Sequence, residues 1–349
     1  MRTHVSYSLV EKLIRASGKG LAVLTLSWYF GPVYQGYFAT LIAASVIAVL
    51  IIIWGLELSN NYHSAIDRTR TLLPALLGNT LLFLLVSGVI GQIVLRLVIN
   101  SPLLGALPER FHVYLLVIVP ISSLFLSLGG IVYGLGWFGL RACGTLVHLY
   151  GFLITLGLVI VFQWRFEVAL ASWVVAQGLA ACLFVVCLLR ETHWSLRVDF
   201  RLLKSQLRYG SQSLLFLVLM ALIFRLDHLM IGWLAGAAAV GVYSIAAAAT
   251  EVLLYFPKAL GTVALTQRSN GTPVSPGFLR GAGAMLVILG AGASVVGPTV
   301  IALVLPAEFG PARVALLVLL PGTIALGFAW IANYDLLGQG LVSPGVVAA

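Results

Sequence analysis

Charged side chains are scarce in this sequence, so those that interrupt its apolar runs are the first candidates for chemistry. Arg225, Asp227, Glu251 and Lys258 fall inside the apolar stretch 207–266. At the centre of a lipid-embedded helix each charge costs about 2.5–3.5 kcal/mol or more, so such residues are paired, hydrated or used. Glu251 and Lys258 are seven residues apart and share a helical face, with Pro257 between them to kink the helix. Arg225 and Asp227, two residues apart, point about 160° away from each other and cannot form a same-face pair. A second set, Lys12, Arg15 and Lys19, follows an i, i+3, i+7 spacing that places three cations on one face of a helix. Two readings fit this stripe: side chains snorkelling to cytoplasmic headgroups, or a cationic wall facing an aqueous cavity. Two readings also fit Glu251: an assembly ion pair with Arg225, or part of a polar cavity wall. His148 and His228 read as packing or interfacial residues, and Glu57 and Asp335 as interfacial. No catalytic constellation is present. There is no P-loop, no HExxH and no Cys/His cluster, so neither a built-in ATPase nor a metal site is expected. Cys143, Cys182 and Cys187 read as small buried residues. The Asn270 glycosylation sequon falls in a predicted cytoplasmic loop and is discounted.

The elements that must carry these residues are membrane helices. The chain has 349 residues, of which 61% are hydrophobic and 9% charged, and its mean hydropathy is +1.07. A soluble domain averages about 25% charged residues, so this chain lacks the polar surface to be one. Apolar runs of twenty-odd residues without two-residue alternation predict an all-α integral membrane protein and not a barrel. Ten spans are expected, at 8–30, 38–58, 72–98, 112–134, 145–163, 168–189, 210–233, 239–264, 280–304 and 312–337. The basic N-terminus leads into a span without a small-residue cleavage site, so no cleaved signal peptide is expected. The longest loop, 190–209, divides six spans from four. The expected organisation is an N-terminal lobe over 1–190, a cytoplasmic linker over 191–209 and a C-terminal lobe over 210–349.

Alternating the ten spans with the N-terminus in the cytoplasm puts 14 Lys and Arg on that side and 4 on the other, leaving Arg225 and Lys258 of the 20 inside spans. That is a strong positive-inside bias, and it reads the net charge of +9 as topology, with no nucleic-acid partner. An internal repeat supports two lobes. An offset of 205 superimposes Trp28 on Trp233, Gly31 on Gly236 and Gly36 on Gly241. Both segments run in the same direction, so the lobes are predicted to be related by a parallel pseudo-two-fold along the membrane normal. Six spans in one lobe and four in the other predict that two C-terminal helices are missing after LGQGLVSPGVVAA.

The stretch RLDHLMIGWLAGAAAVGVYSIAAAATEVLLYFPKALGTVALT resembles the seventh and eighth helices of bacterial O-antigen and capsular polysaccharide flippases. These form the oligosaccharide/polysaccharide branch of the multidrug/oligosaccharidyl-lipid/polysaccharide exporter superfamily. The pattern is carried by Arg225, Asp227, Gly236, Val240, Gly241, Tyr243, Glu251 and Pro257. FGPVYQGYFATLIAA resembles the family's first turn, with Phe30 in place of a leucine, and LPAEFGPARVALLVLLPGTIALGFAWIANYDLLGQG its ninth-to-tenth helix region. The resemblance implies a flippase of the bacterial inner membrane, involved in O-antigen and lipopolysaccharide synthesis. It would move a polyprenyl-diphosphate-linked oligosaccharide by alternating access. Anionic headgroup chemistry fits cations, so Lys12, Arg15, Lys19, Arg225 and Lys258 would bind substrate. Asp227 and Glu251 would serve as counter-charge or couple transport to H+ or Na+, with no other cofactor. Membrane lipids and the polysaccharide polymerase and chain-length machinery are the implied partners. Two rivals stand beside this reading. A multidrug exporter of the same superfamily prefers an acidic cavity for cationic drugs. A membrane-embedded glycosyltransferase, polymerase or ligase needs a large catalytic external loop, and the longest one here is 99–111.

Overall fold

The structure, a computed structural model, describes the backbone of residues 2–67, 69–258, 260 and 276–338. Side chains are described for the same residues except 2–10, 12, 276, 279 and 332–338. The side chains of Lys12 and Asp335, the Asn270 sequon and the C-terminal residues after Gly338 therefore lie outside the described residues. Every regular element described is a helix: α1 Arg2–Ile53, α2 Leu56–Ile66, α3 Leu73–Val98, α4 Glu109–Gly134, α5 Phe138–Val161, α6 Phe166–Glu191, α7 Phe200–Leu253, α8 Pro276–Val304 and α9 Ala312–Gly338, with short 3-10 turns at Pro102–Leu104 and Ala307–Phe309.

Among the described residues, eight helices are long and apolar enough to cross a membrane. Two of them are double length, Leu13–Ile53 with 41 residues and Phe200–Lys258 with 59. At about 1.5 Å per residue even the shorter exceeds a hydrocarbon core of about 30 Å twofold, so each accommodates two of the ten predicted spans. Each is interrupted by one glycine. Gly31 has φ 76° and ψ −178°, and Gly236 has φ 80° and ψ 177°. A residue with a Cβ is strained in that region, which explains why glycine recurs there. The two breaks have nearly the same backbone angles at positions 205 residues apart, so the repeat read from the sequence is present in the backbone.

The chain forms two compact units. Met1–Ala22 and Tyr37–Gly236 make the first, and Val23–Gly36 and Ala237–Ala349 the second. The first unit has a core of Leu73, Leu76 and Leu77 from α3, Phe125, Leu128 and Ile131 from α4, and Ala180, Phe184 and Leu188 from α6. Pro120 interrupts α4 and cannot donate to the carbonyl of Leu116. Gln92 of α3 replaces the lost bond, its amide donating to Leu116 O at 2.8 Å. In the second unit Ile245 and Ala246 pack with Ile301, Leu305, Phe309, Leu316 and Leu320. Within it the two arms of the repeat meet reciprocally. A Cβ on Gly36 would lie 1.8 Å from Ala237 O, and one on Gly241 would lie 1.9 Å from Pro32 O. Pro32 and Ala237 are themselves 205 apart, so each arm presents the same groove to the other.

Two expectations about the loops are corrected. The second span ends at Ile53, not at residue 58. Trp54 and Gly55 turn the chain with φ of 50° and 69°, and α2 follows as a separate helix. Gly55 is pressed on Gly210, where a Cβ would stand 2.3 Å from the carbonyl oxygen. The stretch 190–209 is not all loop, because α7 begins at Phe200. Asp199 caps it, its Oδ1 accepting the N–H groups of Arg201 at 2.8 Å and Leu202 at 3.2 Å. The same aspartate exchanges backbone hydrogen bonds with Asn79 at 2.9 Å in both directions. Buried amides extend this pairing, with Asn79 donating to Gln206 at 3.0 Å and Gln206 to Asn60 at 2.7 Å.

Candidate functional site

Arg15 and Lys19 of the basic stripe on α1 line a cavity inside the first unit. Its volume is about 200 Å³, and its walls include Arg15, Lys19 and Ser45 of α1, Ser122 and Phe125 of α4, Thr145 and His148 of α5, and Trp173 and Gln177 of α6. Gly18 lets α1 approach α5 closely enough to bring the stripe there, since a Cβ at that position would lie 2.9 Å from Leu149 Cβ. Ser17 fixes the register by meeting the hydroxyl of Tyr150 at 2.8 Å.

Arg15 is held by Glu11, which sequence reading overlooked. Its Nε donates to Glu11 Oε1 at 3.1 Å, and its Nη2 donates to the same oxygen. Thr145 Oγ1 donates to that oxygen as well, at 3.3 Å. Glu11 is buried, being 6% exposed. Its spacing of four residues from Arg15 was the available signal. The rest of the lining includes polar and aromatic side chains. Ser122 donates to Gln177 Oε1 at 2.9 Å, and the His148 ring sits 4.4 Å from Trp173 and 5.7 Å from Phe125. His148 is 8% exposed and its Nε2 is buried without a hydrogen-bond partner, so the expected packing role leaves one polar atom unsatisfied.

A second charged group stands beside this cavity. Arg141, counted from the sequence among the cytoplasmic charges, is buried at 5% exposure. Its guanidinium lies 4.0 Å from Glu57 and faces the rings of Phe125 at 5.1 Å and Phe184 at 5.8 Å. Gly129 leaves room for it, because a Cβ there would lie 1.5 Å from Arg141 Nη1 and would displace the guanidinium. Glu57, read as interfacial, is the carboxylate partner of this arginine.

The remaining predicted residues sit elsewhere. Arg225 and Asp227 belong to the α7 part of the first unit and are not in the cavity lining. Arg225 Nη1 donates to Phe224 O at 3.2 Å. Asp227 Oδ1 accepts from the backbone N–H of His228 at 2.7 Å and meets its Nδ1 at 2.8 Å. Glu251 and Lys258 belong to the second unit. Lys258 Nζ stands 3.9 Å from the centre of the Trp330 ring and 6.0 Å from that of Tyr255, a cation–π contact that sequence spacing could not show. The cavity thus brings together Arg15 and Lys19 from the predicted set. Among the described residues no group of three His, Cys, Asp or Glu side chains is placed to hold a metal ion.

Comparison with known proteins adds a family segment and a fold. Residues 144–267 match the model of a family described as polysaccharide biosynthesis protein. A solved multidrug resistance MATE family transporter of the MOP superfamily, in an inward-facing conformation, superimposes with a TM-score of 0.74 at 14% identity, covering 97% of this chain and 86% of that one. A MATE protein in complex with MaD3S aligns with a TM-score of 0.53 at 14% identity, covering 99% of this chain and 80% of that one. The MATE transporter ClbM in complex with Rb+ aligns with a TM-score of 0.53 at 16% identity, covering 99% and 82%. No curated protein matches the sequence. The fold is that of the MOP-superfamily transporters, and the resemblance to the superfamily's polysaccharide branch is supported by the matched family segment and by that fold.

Proposed function

We propose that this protein is a lipid-linked oligosaccharide flippase. It would carry a polyprenyl-diphosphate-linked glycan across the bacterial inner membrane by alternating access, with its N-terminus in the cytoplasm. The observation that carries the reading is that Arg15 and Lys19 line one cavity together with polar and aromatic side chains. A diphosphate needs cations that stay charged, and arginine offers it a planar fork of donors. The cavity is too small for a glycan, so it suits the headgroup, with the sugars and the polyprenyl tail held outside it. Arg225 of the first unit and Lys258 of the second keep the substrate-binding role that the resemblance implies, and Asp227, engaged by His228, stays a coupling candidate. The family match over residues 144–267 supports polysaccharide chemistry over drug export. The scarcity of polar external residues supports transport over glycosyl transfer.

The test is genetic. In a strain lacking its own exporter, the wild-type chain restores surface polysaccharide. Arg15→Ala, Lys19→Ala and Arg225→Ala each lower export by tenfold or more at normal protein levels, a loss of about 1.4 kcal/mol in binding or more. Intact export in all three variants contradicts the cationic path. Resistance to cationic drugs without polysaccharide export points instead to the multidrug reading.

A further inference from the structure

Glu11 is hydrogen-bonded to two residues of the cavity wall, Arg15 and Thr145, and anion binding alone leaves it without a task. Its Oε1 takes both the Nε and the Nη2 of Arg15 and the hydroxyl of Thr145. Those two nitrogens form the guanidinium edge that would otherwise grip an oxyanion with two parallel bonds. An anion entering beside Lys19 therefore meets a competitor of its own sign on Arg15.

The surroundings of Glu11 are defined. Arg15 faces it from α1 and Thr145 from α5. Arg141 of α5 and Glu57 of α2 interact with it electrostatically, and Tyr133 acts on Arg141 from α4. Lys19 and His148 stand on the same cavity. The unsatisfied Nε2 of His148, buried on the cavity wall, is an independent sign of a polar occupant.

We propose that this cavity binds an oxyanion of the phosphate class together with one proton. The anion takes the Nε–Nη2 edge of Arg15, with Lys19 as the second cation. Glu11, left as a buried carboxylate next to a new negative charge, takes a proton from bulk water and forms a neutral carboxyl. Two buried like charges at one site do not both stay ionised, and an unpaired buried carboxylate neutralises. Thr145 then keeps its hydrogen bond to the carboxyl. The proposal deepens the flippase reading and rests on its assignment of Arg15 and Lys19 to an anion, but it concerns binding and needs no transport to be tested.

The test uses the full chain in lipid nanodiscs, titrated with inorganic diphosphate by calorimetry near neutral pH in two buffers of different ionisation enthalpy. The buffer dependence reads the protons taken up per anion. The expected result is uptake approaching one proton in the wild type. Glu11→Gln takes up almost none and binds diphosphate on the order of tenfold more tightly at high pH, the effect of removing one nearby like charge. Thr145→Val loses a hydrogen bond to the carboxylate, and its proton uptake falls in part. Arg15→Gln and Lys19→Gln each weaken binding tenfold or more. Wild-type proton uptake in a folded Glu11→Gln overturns the proposal. If that variant does not fold, unchanged uptake in Thr145→Val overturns it. Absence of diphosphate binding also overturns it, and if glycolipid flipping persists in that case the transport reading survives alone. Binding with proton uptake but no flipping leaves this site standing and removes the flippase reading.

Discussion

At the scale of residues, the cations that matter are distinguished by what holds them. Arg15 shares its guanidinium with a buried carboxylate, Arg141 lies over two phenylalanine rings beside Glu57, and Lys258 rests on an indole. Each arrangement predicts a different response. Gly129→Ala places a methyl where Arg141 Nη1 now sits. It is expected to destabilise the protein by about 1–3 kcal/mol, read as a lower midpoint in a thermal-shift assay in detergent, while Gly139→Ala, with open space at its Cβ, serves as the control. Trp330→Leu removes the ring under Lys258 and is expected to destabilise by about 0.5–2 kcal/mol. Pairing it with Lys258→Met in a double-mutant cycle isolates the contact, and additivity of the two changes argues against it. The stripe on α1 was legible because helical spacing is local. Arg141 was not, because its burial depends on Gly129 of α4, and nothing near Arg141 in sequence reports that groove. Trp330 was invisible for the same reason, being 72 residues from Lys258.

At the scale of elements, helix breaks and helix crossings are set by single residues. The crossing of Gly36 and Gly241 is reciprocal, so Gly36→Ala and Gly241→Ala are expected to destabilise by similar amounts, about 1–3 kcal/mol each. A large loss in one and none in the other, measured by chemical denaturation in the same detergent, contradicts the two-fold character of the contact. Gln92→Leu leaves the Leu116 carbonyl without its donor and is expected to cost about 1–3 kcal/mol, while Gln163→Leu at the end of α5 serves as an exposed control. Most spans were readable within a few residues, because an apolar run long enough to cross a bilayer has few alternatives. The glycine breaks were readable from their repeat. Helix α2 was not. It buries Ser59, Asn60, His63 and Ser64, and such a polar surface looks like a loop until its partners are known. Those partners include Thr80 at 3.0 Å from Asn60, and Ser205 at 3.1 Å from His63.

At the scale of the whole molecule, the fold of the MOP-superfamily transporters carries, in its first unit, the cavity proposed to bind an anion. Topology is the simpler test. In a cysteine-free background, a membrane-impermeant thiol reagent added to intact cells is expected to label Glu109→Cys but not His193→Cys, and labelling of the second alone reverses the assigned orientation. The central claim is that the chain moves a glycan through its diphosphate headgroup. The direct measurement is flipping of a fluorescent polyprenyl-diphosphate-linked oligosaccharide in vesicles containing the purified protein. The account predicts fast exchange between leaflets for the wild type and a tenfold or greater slowing in both Arg15→Ala and Lys19→Ala at equal reconstitution. Equal rates in wild type, both variants and protein-free vesicles contradict it.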